Sequence, residues 1–254
     1  MLSVAVILRA DMPDQPSLSS AYLPHLAYDS VIFGFSGDRL KILVMEYHRT
    51  QLFALPGGFV RVDENLDAAV RRGLCERTGL SDIYLRQFQT FGDVARHDPE
   101  SMRRILEANS ISTTEYGWML DRFVSVAYYA LINYETVRPR PDALSDSLEW
   151  YDLDSLPPLL FDHKKIVHAA LDVLRRNLET ELVGKNLLPE RFTMRELQRV
   201  CETILGEELR RTSFQRKMLA SGTLRRHEKL QHGKAHKAPY LYSFRTEKTD
   251  KRKS

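Results

Sequence analysis

Two groups of residues in this chain are of types, and at spacings, that could do chemistry. The first lies in residues 55–80, LPGGFVRVDENLDAAVRRGLCERTGL, which brings two carboxylates, Glu64 and Glu76, into one stretch with two cations, Arg72 and Arg77. Carboxylate oxygens can hold a hard divalent cation, but such an ion wants several of them at once. Arg72 and Glu76 stand one helical turn apart, which predicts an ion pair and a structural role. The second group lies in the last quarter of the chain: Arg211, Thr212, Ser213, Gln215, Arg216 and Lys217, then Arg225, Arg226, Lys234 and Lys237. Glutamine and arginine can make paired hydrogen bonds to base edges. Each lysine or arginine that reaches a phosphate releases counterions.

The elements that must position these groups follow from pattern. Pro56-Gly57-Gly58 breaks the chain after an apolar run. Asp63 or Asn65 can then cap a helix with Leu66, Ala69, Val70 and Leu74 at helical spacing, stopped at Thr78-Gly79. Runs 28–35 and 40–45 flank a turn signal and predict a hairpin. Residues 83–94 read as a strand with Phe88 and Phe91 as core candidates, residues 123–132 as the strongest strand, and 148–153 as another. Residues 98–120 read as an irregular insertion with a short helix at 102–108. Asp162 can cap a long helix over 164–182. After a linker at Leu187-Leu188-Pro189 the pattern changes to short helices: 194–204 capped by Thr193, then one capped by Thr212 or Ser213 and running to Ala220. Two strands, 224–230 and 239–244, follow with a basic tip at 231–237. That order is a winged helix-turn-helix, whose second helix enters the major groove while the wing lies along phosphates.

Composition narrows the function classes. At 254 residues the chain has room for two ordinary domains, and 43% hydrophobic with 28% charged content describes a globular protein. Cys75 and Cys201 are the only cysteines, so neither a disulfide framework nor a zinc cluster is expected. The apolar run 2–8 is too short for a signal peptide and lacks a basic lead, and no segment reaches the ~20 apolar residues of a membrane helix. A reducing cytoplasm is the default. The net charge of +3 divides unevenly: residues 1–184 carry −7 and residues 185–254 carry +10. An acidic first part joined to a basic last part suits a sensor domain carrying a polyanion-binding module.

Gly58, Glu64, Arg72, Leu74, Glu76, Gly79 and Leu80 resemble the Nudix box in register, and with residues 161–163 and 187–219 the chain is similar to the Nudix-related transcriptional regulators of bacteria over residues 22–245. The fold this implies is mixed α/β (α+β): a Nudix-like α/β/α sandwich with a mixed sheet at 22–184, between an N-terminal tail at 1–21 and a winged helix-turn-helix at 185–245, with a basic tail at 246–254. The family's helix carries three clustered glutamates that hold Mg²⁺ against a diphosphate. Here those positions read Gly73, Glu76 and Arg77, a set of zero net charge, so metal, cofactor and catalysis are not expected.

What the resemblance implies is a homodimeric regulator, a repressor by expectation, that binds a palindromic operator and senses a small effector such as ADP-ribose or a pentose. Arg61, Glu64, Glu76, Arg77, Asp93, Arg96 and His97 are the effector-binding candidates. Asp93 and Arg96 could equally form a buried pair. The rival reading is an active Nudix hydrolase of ADP-ribose or another nucleoside diphosphate compound, working through Glu64 and Glu76. A third is a nucleic-acid scaffold without sequence preference.

Overall fold

The computed structural model describes residues 18–36, 39–79, 83–134, 137–178, 187–230 and 238–245. Strand β1 (Tyr22–Ser36) is the centre of the first unit. It pairs antiparallel with β2 (Arg39–Tyr47) and parallel with β6 (Val124–Asn133), ten residues deep from Leu26↔Val124 to Phe35↔Asn133. Around them β3 (Leu52–Ala54), β4 (Gly57–Arg61), β5 (Tyr84–Phe91) and β7 (Ser145–Asp152) complete a mixed seven-stranded sheet, with β3 and β5 ending its main path.

A parallel pair needs cover on both faces, and the side-chain alternation supplies it. Tyr28 and Ile32 of β1 join Tyr128, Ala130 and Ile132 of β6 in one core with Ala69, Val70 and Leu74 of helix α1 (Leu66–Thr78). The intervening residues Val31, Phe33, Ala127, Tyr129 and Leu131 face the other way and are equally buried. Helix α4 (His163–Asn177) carries a buried stripe of Ile166, Val167, Ala170, Leu171 and Leu174, and the unit is the expected α/β/α sandwich. The 98–120 segment is more regular than its sequence suggests. Asp98 caps α2 (Pro99–Ala108) through Ser101 N–H, Ser112 caps the single turn α3 (Thr113–Tyr116), and Ile105, Leu106 and Tyr116 are buried. Phe88 and Phe91, expected in the core, are only half-buried on edge strand β5.

The chain divides into two compact units between Leu174 and Arg175, within α4. That helix ends at Asn177, with Leu178 in a turn, short of the end expected near 182; the domain boundary expected at 184/185 lies outside the described residues. In the second unit β8 (Phe192–Thr193), β10 (Tyr240–Phe244) and β9 (Leu224–Lys229) form a three-stranded antiparallel sheet in that order. Helix α5 (Met194–Leu205) opens on a capping box: Thr193 Oγ1 accepts from Glu196 N–H at 3.2 Å, and Thr193 N–H donates to Glu196 Oε2 at 2.6 Å. Helix α6 spans Arg211–Ala220. Its N-cap is Arg210, with no side-chain cap bond, so Thr212 and Ser213 sit inside the first turn and do not cap it as expected. Among the described residues no helix is long and apolar enough to cross a membrane.

Candidate functional site

The box region is built around the Tyr28 side chain. Tyr28 and Asp29 of β1 pair with Gly58 and Gly57 of β4. A Cβ on Gly57 would come within 2.7 Å of Asp29 Oδ1, and one on Gly58 within 2.7 Å of the Tyr28 hydroxyl. The same hydroxyl would lie 2.1 Å from a Cβ on Gly73, the α1 position where the box pattern has a glutamate. Burial raises the Tyr28 phenol pKa above its ordinary value, against the opposing pull of Arg77 and Arg72.

Arg77, at the second departure from the box, is buried. Its guanidinium donates to Asp142 Oδ2 at 3.0 Å, to Gly57 O at 3.0 Å and to Gly73 O at 3.3 Å. Asp142 is itself set by Leu144 N–H and the Ser145 hydroxyl, at 3.0 and 2.8 Å on Oδ1. Glu64 is occupied too: it accepts from Arg72 Nε at 3.0 Å and Nη2 at 2.6 Å, and from Arg61 N–H at 3.0 Å. Burial works against its charge, but these bonds hold its carboxyl below the usual range. Arg72 approaches Glu76 at 3.9 Å, the i,i+4 pair expected, though Glu64 is its closer partner.

A second buried network lies beside the first. Arg96 donates to Asp29 Oδ2 at 3.2 Å, to Asp162 Oδ1 at 3.2 Å and to Phe123 O at 2.8 Å. Asp29 also accepts from the Ser125 hydroxyl at 2.6 Å. Leu55 N–H donates to His163 Nδ1 at 3.0 Å, so the ring proton sits on Nε2, which faces Asp29 Oδ1 at 3.4 Å. Burial alone would raise the Asp29 pKa, but His163, Ser125 and Arg96 outweigh it and hold the carboxyl at about 2. Asp93 is not the partner of Arg96. It is exposed and caps the turn Val94–Arg96 through Ala95 N–H at 2.9 Å. Asp162, expected as a helix cap, turns its carboxylate to Arg96.

Both networks border one cleft in the first unit, between the start of β4 at Gly57–Gly58, the middle of β1, α2 and the segment 119–123. Of the expected effector-binding residues, Arg77, Arg96 and His97 line it; Arg61, Glu64, Glu76 and Asp93 do not. The wall also contains residues that sequence reasoning missed: Asp29, Tyr47, Arg122, Phe123, Asp142 and His163. The Phe-Asp-His run at 161–163 was a usable signal for the last of these. The chemistry available is hydrogen bonding to a polar ligand and stacking on rings such as Phe59 and Phe123, 5.2 Å apart.

The second unit offers a different surface. Gln198 Nε2 donates to Glu202 at 2.8 Å and to Leu209 O at 2.9 Å, and Leu209 N–H donates to Glu202 at 2.9 Å, which fixes the turn from α5 to α6. Phe214 anchors α6 inward, with Leu197, Val200 and Ile204 buried on α5. Outward, Arg211, Thr212, Ser213, Arg216 and Lys217 are exposed and Gln215 is half-buried, not outward as expected. On the wing Arg225 and Arg226 are exposed, and the Arg226 guanidinium lies 4.7 Å over the Tyr240 ring. Glu228 pairs with Arg191, which leaves those wing arginines out of that bridge. Lys234 and Lys237 lie outside the described residues.

Comparison with known proteins agrees with both halves. A Nudix domain model matches residues 23–170, and an NrtR DNA-binding winged helix model matches residues 184–244. A curated relative, the "ADPR responsive transcriptional repressor NtrR" of Acinetobacter baylyi, is 32% identical over 208 residues, covering 79% of this chain and 74% of its own. The crystal structure of Shewanella oneidensis NrtR complexed with a 27mer DNA matches at TM-score 0.67 and 27% identity, over 87% of this chain and 93% of that one. An RNA pyrophosphohydrolase of Bartonella henselae is 29% identical over 140 residues, covering 52% of this chain and 75% of its own. With the cleft in a Nudix fold and the basic face on a winged helix, the chain belongs to the NrtR family of transcriptional regulators.

Proposed function

We propose that this protein is a transcriptional repressor that binds operator DNA through α6 and the wing, and that ADP-ribose in the Nudix cleft releases it. The observation that carries the reading is the exposed face of α6, where Arg211, Thr212, Ser213 and Arg216 project from a winged-helix frame, together with the exposed Arg225 and Arg226 of the wing. The name of the Acinetobacter relative supports ADP-ribose over a free pentose. Acting as a homodimer on a palindromic site, two such helices would meet half-sites one helical turn apart, ~34 Å.

We read the cleft as a binding site and not a catalytic one. Magnesium held by a Nudix box needs clustered carboxylates, and the residues present do not fit it. The Tyr28 hydroxyl and the Arg77 guanidinium fill the space beside Gly73, and Arg72 consumes Glu64. A cation beside a buried guanidinium would be repelled strongly. The hydrolase reading would have to find its ligands elsewhere.

The experiment is fluorescence anisotropy of a labelled operator fragment with full-length protein, with and without ADP-ribose, across a salt series. Affinity should fall steeply with salt, should vanish in Arg216→Glu, and should drop on adding ADP-ribose. To empty the operator from near saturation, the ligand must prefer the unbound form by roughly 10⁴-fold. DNA affinity indifferent to ADP-ribose would refute the proposal, and affinity indifferent to sequence would favour the scaffold reading. Arg216→Glu should still bind ADP-ribose; loss of both activities would refute separate sites.

A further inference from the structure

Arginines in a ligand cleft invite assignment to a ligand's phosphates, but the two buried ones here are already compensated. Arg77 faces Asp142 at 3.0 Å, and Arg96 is shared between Asp29 and Asp162, both at 3.2 Å. Every side chain in these pairs is 10% exposed or less. Two guanidiniums therefore meet three carboxylates, and the floor of the cleft offers no net attraction to an anion. Turning either arginine toward a phosphate would leave a buried carboxylate unpaired, an expensive exchange in a desolvated site.

The rim is different. Arg122 is exposed, lines the cleft and, among the described residues, donates only to Gly92 O at a long 3.5 Å. It is thus the one lining arginine with no carboxylate partner among the described residues. His97, also exposed, lines the same cleft and is positioned by a 2.8 Å bond between Nε2 and Leu120 O. The adjoining wall holds the Phe59 and Phe123 rings, an apolar face against which a base or ribose can lie while phosphates remain at the rim.

Resting on the effector reading above, we propose that Arg122 takes the effector's phosphates at the mouth of the cleft, while Arg77 and Arg96 shape its floor through their aspartates and contact no phosphate. An arginine fork suits two phosphate oxygens at once, and its exposure means it gives up no internal partner to bind. Arg122 thereby sets specificity: it distinguishes a nucleoside diphosphate compound from a neutral sugar or nucleoside, which the acidic floor accepts through hydroxyl groups.

The test is isothermal titration of full-length wild type, Arg122→Met and Arg122→Lys with ADP-ribose and with adenosine, at low and high salt. Loss of charge-assisted hydrogen bonds should weaken ADP-ribose binding by about 10- to 100-fold in Arg122→Met. It should also flatten the salt dependence and leave adenosine affinity and melting temperature unchanged, with Arg122→Lys recovering part of the loss. Wild type that binds ADP-ribose tightly, with Arg122→Met binding it equally well, would overturn the assignment of Arg122 alone. Wild type that binds no ADP-ribose would instead overturn the effector reading on which it rests.

Discussion

Replacing Gly73 by alanine adds one methyl group to a helix, a change that on propensity alone should stabilise α1 by about 1 kcal/mol. The structure reverses that sign. The new Cβ would stand 2.1 Å from the Tyr28 hydroxyl and 3.1 Å from Arg77 Nη1. Tyr28 is a rigid ring, 3% exposed, on the central strand, and Arg77 is tied to Asp142, so neither can move aside cheaply. Overpacking of this kind costs about 1–3 kcal/mol, and with the contact this short the upper half of that range is expected. The net loss should then be about 1–2 kcal/mol. Tyr28→Phe removes the offending oxygen and leaves the ring carbon at 3.2 Å as the nearest part of that side chain. In that background Gly73→Ala should be close to neutral. The double-mutant cycle in urea therefore predicts a coupling of about 1–2 kcal/mol between positions 28 and 73. A Gly73→Ala single variant that is more stable than wild type, with no coupling to Tyr28→Phe, would refute the claim that the tyrosine hydroxyl occupies the glutamate position.

Three further outcomes follow from the buried networks and the cap. Arg96→Met leaves buried Asp29 and Asp162 without the cation they share, and equilibrium unfolding should show a loss of about 3–5 kcal/mol. Asp29 has a folded pKa of about 2, below its unfolded value, so its contribution is complete above pH ~4 and is lost as pH falls through 2. Acid unfolding curves of wild type should steepen between those values, with Asp29→Asn flattening that stretch by roughly 2 kcal/mol. Thr193→Ala removes one half of the capping box on α5 and should cost about 1 kcal/mol; a shift confined to the second unit's transition in calorimetry is the expected readout.

Much of the fold was legible because it is encoded locally. The break at Pro56 ahead of β4, the apolar stripe of α1, the Thr193 cap and the long strand β6 all rest on patterns within a few residues. Less legible was anything that depends on pairing across the chain. Arg77 meets Asp142 65 residues away, and Arg96 meets Asp29 67 and Asp162 66 residues away. No spacing rule links such positions, and neighbouring Asp93 was the natural wrong partner. The cleft wall was hidden for a related reason: the 98–120 segment is polar in composition, yet Ile105 and Leu106 of α2 are buried, and Met102 and Ile105 line the cleft. The helix start at Arg211 was misplaced because Thr212 and Ser213 have good capping chemistry that the backbone does not use.

A Nudix cleft that binds ADP-ribose as a signal must hold it uncut, and phosphorus NMR of ADP-ribose incubated with stoichiometric protein and excess Mg²⁺ tests this most directly. Two diphosphate resonances are expected, shifted by binding and unchanged in total intensity over hours. Their replacement by the monophosphate signals of AMP and ribose 5-phosphate, abolished by Glu76→Gln, would contradict it.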